Sequence, residues 1–246
     1  MRADRPVAVD GLADIPYGWK VVARPKGARE LSLAGSSAIG FERPRPATRA
    51  PANMKVDGKL GDWKELPYEC LHPASRQEPG LWRGPDDSSF RFNVAWDEKF
   101  VYVAVQVRDD SRVAVPGVDP WSQDGVHIGV AGRPEADWNP GGKGKDQSVF
   151  LSPGKSVKDT IMWGPEWMPK GLQVACVWVK GGFNAEVGIP LESLQESADQ
   201  PWKALRVTIG VYDFDRDSGG TGTYLYWQTD QKATSGTPHS GAFIRR

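Results

Sequence analysis

Three aspartates at alternate positions, Asp213, Asp215 and Asp217, have the spacing that most directly suggests chemistry. Hard cations such as calcium are bound by several oxygen ligands, and carboxylates at i, i+2 and i+4 match the start of a calcium-binding loop. The stretch is not an EF-hand, because its glycine comes one position late and Tyr224 stands where the bidentate glutamate belongs. The pattern therefore predicts either a calcium site or a solvated, aspartate-rich hairpin end.

Tryptophan is the second residue type that needs an explanation, since the chain has 11 in 246 residues. A loop tryptophan is costly to leave in water, so it either packs onto a sheet or contacts a ligand. We expect at least one loop indole to be exposed near Trp121. Trp63, Trp96, Trp178 and Trp227 lie in strand or turn patterns and are expected in the core, whereas the tryptophans that packing does not obviously need are Trp121, Trp138, Trp163 and Trp167.

Motifs that would support catalysis or transition-metal binding are missing from the sequence. The histidines His72, His127 and His239 lie far apart and lack the spacing of metal ligands. No Gly-x-Ser-x-Gly nucleophile motif occurs. Cys70 and Cys176 are too few for a disulfide scaffold, and we interpret them as two buried thiols, with a single pairing as the alternative.

Carboxylates such as Glu186 and Glu192 could serve as the acid pair of a glycoside hydrolase only if the fold brought two of them together. Such a pair must lie within roughly 5–10 Å of each other. Glu186 lies between Ala185 and Val187 in a strand pattern, which favours a solvent-facing or hydrogen-bonded residue. We therefore predict that the protein is not an enzyme.

The charge balance excludes two classes of partner. Thirty-one basic and 31 acidic residues give a net charge of zero, so no basic excess is available for nucleic acid or for an anionic membrane. No segment approaches the roughly 18 consecutive apolar residues of a membrane-spanning helix.

The N-terminus has no apolar secretory signal, so either the protein is cytoplasmic or the chain lacks its leader.

Short strands are the elements that must position these residues. Apolar side chains alternate with polar or small ones over 90–96 and again over 101–107, with a turn between them. Similar runs occur around 126–130, 174–179, 183–189, 205–211, 224–227 and 242–244. Only 190–194 has a helical pattern. Many short strands without intervening helices predict an all-β protein, an antiparallel β-sandwich with an immunoglobulin-like or jelly-roll-like pair of sheets.

The first 53 residues differ from the rest of the chain. The stretch 24–51 is rich in proline and arginine and has little apolar periodicity, apart from a short strand pattern at 17–22. We predict an extended N-terminal arm over residues 1–53 and one sandwich domain over residues 54–246.

Four segments, in this order along the chain, carry a family resemblance. They are an Asp-Gly turn leading to a tryptophan (56–63), a Trp-Asp hairpin ending in an acidic pair (95–110), a Trp-x-x-Asp strand (120–130) and a Glu-x-x-Ile-Pro hairpin (183–190). Together they resemble the family 9 carbohydrate-binding modules and the wider group of DOMON-like sandwiches, over residues 54–246.

The resemblance implies a non-catalytic, extracellular or periplasmic module that binds a sugar or a polysaccharide end beside a polysaccharide-processing enzyme. It also implies a structural calcium, and no organic cofactor is expected. Sugar rings have apolar faces that stack on indole, and their hydroxyls need prepared polar partners. Trp121 matches the first of two sandwiching tryptophans. The predicted carbohydrate-binding residues are Trp121, Asp124, His127, Trp138, Trp163 and Trp167, and the predicted metal ligands are Asp213, Asp215 and Asp217.

The chain also departs from the family pattern. The second sandwiching tryptophan is missing, because 229–240 has no aromatic residue. His127 stands in place of the usual acidic residue, and 150–152 in place of an arginine-bearing strand. Either another tryptophan supplies the second wall or the ligand differs.

Two alternatives remain open from the sequence. One is a haem-binding DOMON-like electron-transfer domain, with axial ligands from Met54, Met162, Met168 or His127. The other is a structural or interaction sandwich whose sugar site has decayed.

Overall fold

The computed structural model describes residues 13–23, 31–41, 45–71, 73, 82–132, 147–195, 204–215, 222–227 and 240–245. The chain forms two compact units, residues 1–44 and 45–246. In the first unit, β1 (Ala13–Ala23) pairs antiparallel with β2 (Leu31–Phe41). The strand expected at 17–22 lies inside β1, whereas β2 was not predicted, because serine, glycine and alanine interrupt its apolar alternation.

The regular secondary structure of the second unit is nearly all β-strand. It contains β3 (Arg45–Arg49), β4 (Tyr68–Cys70), β5 (Ser88–Trp96), β6 (Phe100–Asp109), β7 (Gly125–Ala131), β8 (Gln147–Ser152), β9 (Ile161–Met162), β10 (Gln173–Val179), β11 (Gly182–Pro190), β12 (Ala204–Asp213), β13 (Thr223–Tyr226) and β14 (Ser240–Arg245). One short helix, α1 (Leu191–Gln195), follows β11. Among the described residues, no helix has the length and hydropathy needed to cross a membrane. The all-β prediction is confirmed.

The strands form two sheets that share β3. The first sheet runs β10-β11-β6-β5, with β4 also paired to β5, and the second runs β14-β12-β7-β8-β9, with β13 also paired to β12. Arg45 at the start of β3 pairs parallel with β14, and Thr48 near its end pairs parallel with β5. Because β3 joins both sheets, the second unit begins at residue 45, before the predicted boundary at residue 54.

The core lies between the two sheets. Alternate residues of each strand point inward and form one cluster, which includes Phe90, Phe92, Val105, Phe183, Ile128, Leu151, Ile209, Leu225 and Phe243. The alternation of apolar residues in the sequence therefore predicts correctly which side chains of each strand point into the core. Cys70 and Cys176 are buried in this core as free thiols, which confirms the interpretation as unpaired cysteines.

The outer face of the first sheet is covered by the segment that precedes β4. Trp63 packs there against Ala95, Tyr102 and Ala104. Glu186 of β11 is buried and accepts hydrogen bonds from the Asp57 N–H (3.1 Å), the Gly58 N–H (2.7 Å) and the Trp63 indole N–H (2.7 Å). Glu186 is thus a structural anchor, as the hydrogen-bonded interpretation predicted, while Glu192 is exposed on α1.

Candidate functional site

Three aromatic rings meet on the outer face of the second sheet. Trp121, Phe150 and Trp163 are all half-buried. Their centroids are 5.5 Å (Trp121–Phe150), 5.3 Å (Trp121–Trp163) and 6.0 Å (Phe150–Trp163) apart, with interplanar angles of 83°, 73° and 87°. We call this group of three nearly perpendicular rings the aromatic corner.

The strand pattern explains why these rings face outward. Phe150 lies between Val149 and Leu151 on β8, and both of those side chains are fully buried in the core. Successive side chains of a strand point to opposite faces, so Phe150 must face away from the core. Trp163 directly follows β9, the neighbour of β8, and Trp121 lies in a short 3-10 turn before β7.

Hydrogen bonds and close backbone packing fix the turn that carries Trp121. The buried Gln123 side chain accepts a hydrogen bond from the Val115 N–H and donates one to the Val118 carbonyl at 2.9 Å. A Cβ at Gly125 would lie 2.6 Å from the Pro120 carbonyl oxygen, so only glycine lets the turn pack this closely. The indole of Trp121 therefore stands on a rigid support.

His127 extends the corner toward the centre of the sheet. Its ring stacks on Phe150 with centroids 4.3 Å apart and an angle of 7°. Its Nε2 lies 2.7 Å from the Ser148 hydroxyl. Burial lowers the pKa of His127 to about 4, so the imidazole is neutral at pH 7 and offers polar contacts without charge.

Two tyrosines lie beyond Phe150 on the next strands, Tyr212 buried and Tyr224 half-buried. Tyr212 of β12 lies 6.3 Å from Phe150 at an angle of 31°, and Tyr224 of β13 lies 5.1 Å from Tyr212 at 89°. Beside them, Gly210 leaves room for the ring of Tyr226, since a Cβ at Gly210 would lie 2.5 Å from that ring.

The structure gathers three of the predicted carbohydrate-binding residues, Trp121, His127 and Trp163. The two indoles touch edge to face, so no gap for a sugar separates them, and a parallel clamp is not formed by this pair. Trp138 lies outside the described residues, as does the side chain of Trp167. Trp96 is buried in the core with Trp178 and Trp227 packed against it, and Trp63 is buried in the cluster on the outer face of the first sheet.

Asp124 lies beneath this surface and not on it. Its side chain is fully buried and accepts hydrogen bonds from the Val113 N–H and, at 2.9 Å, from the Phe214 N–H. A buried carboxylate held by backbone donors cannot reach a ligand on the sheet face. The structure therefore corrects its predicted contact with sugar and gives it a supporting role under the Trp121 turn.

Phe150, a ring of the aromatic corner, and its neighbours Tyr212 and Tyr224 were not singled out from the sequence. A signal for Phe150 was present, since an aromatic residue between Val149 and Leu151 must face away from a core that those two enter. The tyrosines gave no comparable signal, because their approach to Phe150 depends on β12 pairing with both β7 and β13.

Three buried carboxylates form a second candidate site at the end of the sandwich. Asp109 ends β6, Asp124 precedes β7 and Asp213 ends β12, and one oxygen from each lies within 4.8 Å of the others. Burial raises the pKa of Asp109 to about 8, of Asp124 to about 7 and of Asp213 to about 9. Asp109 Oδ2 is buried without a hydrogen-bond partner. This carboxylate cluster fits the oxygen-rich ligand set that calcium prefers.

The predicted metal ligands separate in the structure. Asp213 joins the carboxylate cluster, but Asp215 lies with Asp87 and Asp110 around the Arg83 guanidinium, at 3.0 Å from it. Side chains at i and i+2 share a face only within a strand, and β12 ends at Asp213. Asp217 lies outside the described residues.

The second unit is thus a β-sandwich with clustered aromatic rings on an outer sheet face. The family model for carbohydrate family 9 binding domain-like proteins matches residues 56–239. The chain belongs to this family. No match was found among curated proteins.

Two solved structures show the same fold. Both are family 9 carbohydrate-binding modules from Caldicellulosiruptor kristjanssonii, one in complex with cellotriose and one with glucose. The cellotriose complex is 13% identical, with a TM-score of 0.54, covering 82% of this chain and 93% of that one. The glucose complex is 14% identical, with a TM-score of 0.55, covering 82% and 95%.

Proposed function

We propose that this protein is a non-catalytic carbohydrate-binding module whose ligand contacts the aromatic corner. The observation that carries the proposal is the outward-facing group of Trp121, Phe150 and Trp163 on the second sheet. Aromatic rings provide large rigid contact areas for the C–H faces of a sugar. Neutral His127 and the Ser148 hydroxyl lie next to the rings and provide partners for sugar hydroxyls.

Family membership and the bound ligands of the two structural relatives support the same proposal. Those relatives are described with glucose and with cellotriose, which makes neutral gluco-oligosaccharides the first probes for this chain. A module of this kind concentrates an enzyme on its polymer, so a polysaccharide-processing enzyme in an extracellular or periplasmic setting is part of the proposal.

The test compares two tryptophans by calorimetric titration with cellotriose. Trp121→Ala removes one ring of the corner and with it a large contact area for the sugar. We expect at least a tenfold loss of affinity, which corresponds to about 1.4 kcal/mol. The matched control is Trp178→Ala, since Trp178 is also half-buried but packs on Phe183 in the first sheet. Equal affinities of the two variants, or a folded wild type that binds no glycan, would contradict the proposal.

The proposal includes a structural calcium at the carboxylate cluster. Asp109, Asp124 and Asp213 would hold the cation, and Asp109 Oδ2 has no other described partner. A bound cation would displace the protons that burial favours on these three carboxyls and would compensate their negative charges. The cluster also joins β6 of the first sheet to β12 of the second, so its neutralisation would stabilise the sandwich.

A further inference from the structure

We propose that calcium binding at the carboxylate cluster and sugar binding at the aromatic corner strengthen each other through the loop that connects β6 to β7. This inference rests on the proposed function, including its structural calcium. The β6–β7 loop comprises residues 110–124 and carries Trp121 in its 3-10 turn. It can couple the two sites because its ends lie at the cluster and its tryptophan lies in the corner.

Two carboxylates of the cluster stand at the two ends of the β6–β7 loop. Asp109 ends β6 directly before the loop, and Asp124 is the last residue of the loop. One oxygen from each, together with one from Asp213, lies within 4.8 Å of the others. Asp109 is 5% exposed, and its Oδ2 has no hydrogen-bond partner among the described residues. A cation held by these oxygens would therefore fasten both ends of the loop to one point.

The same two carboxylates also bind the backbone of the loop. Asp109 Oδ1 accepts a hydrogen bond from the Ser111 N–H at 2.8 Å, and Asp124 Oδ2 accepts one from the Val113 N–H. The Val113 carbonyl in turn accepts a hydrogen bond from the Asp124 N–H at 2.8 Å. A cation that fixes the two carboxyl groups would therefore also fix the backbone of residues 111 and 113.

Buried Gln123 connects this base of the loop to the turn that carries Trp121. Its side chain accepts a hydrogen bond from the Val115 N–H and donates one to the Val118 carbonyl. Residues 115–119 are exposed, so core packing does not hold this part of the loop. The place of the Trp121 indole in the aromatic corner therefore depends on the hydrogen bonds at the base.

Both ligands select the same conformation of the loop. Calcium binds the conformation in which Asp109 and Asp124 converge, and sugar binds the conformation in which Trp121 completes the aromatic corner. A ligand that binds one conformation better than others raises its population, so the second ligand then binds at a lower cost in ordering. Because such coupling is reciprocal, sugar must raise the affinity for calcium by the factor by which calcium raises the affinity for sugar.

Calorimetric titration with cellotriose, in calcium and in EDTA, tests the coupling at a temperature at which circular dichroism shows both forms to be folded. We expect calcium to raise the affinity for cellotriose at least about fivefold, and saturating cellotriose to raise the affinity for calcium by the same factor. Unchanged affinities in a protein that binds both ligands would overturn the inference while leaving the proposed function intact. Absence of sugar binding in both buffers would overturn the proposed function together with the inference. Absence of calcium binding would overturn the calcium site and the inference but not the sugar-binding function.

Hydrogen exchange of the Val113 and Val115 amides shows whether the coupling passes through the loop. These two N–H groups donate to Asp124 and Gln123, so they exchange only when the base of the loop opens. We expect calcium to slow their exchange in the sugar-free protein and cellotriose to slow it in the calcium-free protein. Exchange that neither ligand changes would overturn the inference.

A variant pair separates the cluster from other calcium effects. Asp109→Asn should abolish the calcium dependence of the affinity for cellotriose, whereas Asp86→Asn, at an exposed aspartate, should retain it. A calcium effect of wild-type size in Asp109→Asn would overturn the inference. The titrations and the exchange measurements on the wild type need no variant, so the inference stays testable if Asp109→Asn fails to fold.

Discussion

At the scale of single residues, the site depends on which way each side chain faces and on whether it is charged. Trp121, Phe150 and Trp163 face outward, whereas Asp124, three residues after Trp121, is fully buried under the same turn. His127 lies on the surface side and is neutral. The aromatic rings therefore lie on the outer sheet face, whereas the carboxyl groups of the carboxylate cluster are buried beneath it.

His127 makes the stability of the protein depend on pH. Its pKa is about 4 in the folded protein, below the ordinary value of 6.5. As the pH falls from 6.5 to 4, the unfolded chain takes up a proton that the folded protein does not, so the folded state loses stability. His127→Phe keeps a ring on Phe150 but has no titrating group. We expect its free energy of unfolding to rise, relative to that of wild type, by on the order of 1–2 kcal/mol when the pH is lowered from 7 to 4.5.

Urea unfolding of both proteins at the two pH values measures this difference. The carboxylate cluster is present in both proteins, so its titration cancels in the comparison. A constant free-energy difference between wild type and His127→Phe would show that the imidazole is not desolvated.

At the scale of elements, Glu186 ties the segment before β4 to β11. Glu186→Gln replaces one acceptor oxygen by an NH2 group that faces N–H donors, which leaves donors of Asp57, Gly58 or Trp63 unsatisfied. We expect a loss of about 2–3 kcal/mol in the free energy of unfolding, measured by urea denaturation. Glu192→Gln is the control, since Glu192 is exposed on α1, and an equal loss in both variants would contradict the anchoring role.

The strands with strong alternation, such as β5 and β6, could be predicted from the sequence because period-two patterns depend only on local residues. β3 could not, since Pro46 and two arginines obscure its pattern and its partners β14 and β5 are distant in the chain. The candidate site divides in the same way. Trp121 followed from its loop position and from the resemblance, whereas the stacking of His127 on Phe150 depends on the pairing of β7 with β8.

At the scale of the whole molecule, β3 joins the two sheets at one place, and the carboxylate cluster brings side chains of β6 and β12 together at another. If calcium occupies the cluster, it should raise the unfolding temperature of the wild type, because a ligand that binds only the folded state stabilises it.

Asp109→Asn separates this effect from general ion binding. Burial raises the pKa of Asp109 to about 8, so at pH 7 the folded protein keeps a proton on this carboxyl that the unfolded chain releases, which costs stability. The substitution removes this cost, so we expect the calcium-free variant to unfold at a higher temperature than the calcium-free wild type. It also removes a ligand, so added calcium should no longer raise that temperature. Differential scanning calorimetry with EDTA and with calcium measures both effects, and Asp86→Asn, at an exposed aspartate, is the control. An unchanged calcium response in Asp109→Asn would refute the site.

Indole N–H signals in a proton–nitrogen NMR spectrum report directly on sugar binding at the aromatic corner. Upon titration with cellotriose, we expect dose-dependent shifts of the Trp121 and Trp163 signals, assigned with Trp→Phe variants, and unchanged signals from buried Trp63 and Trp96. Binding that leaves the Trp121 and Trp163 signals in place would show that the sugar lies elsewhere on the protein and would refute the proposed site.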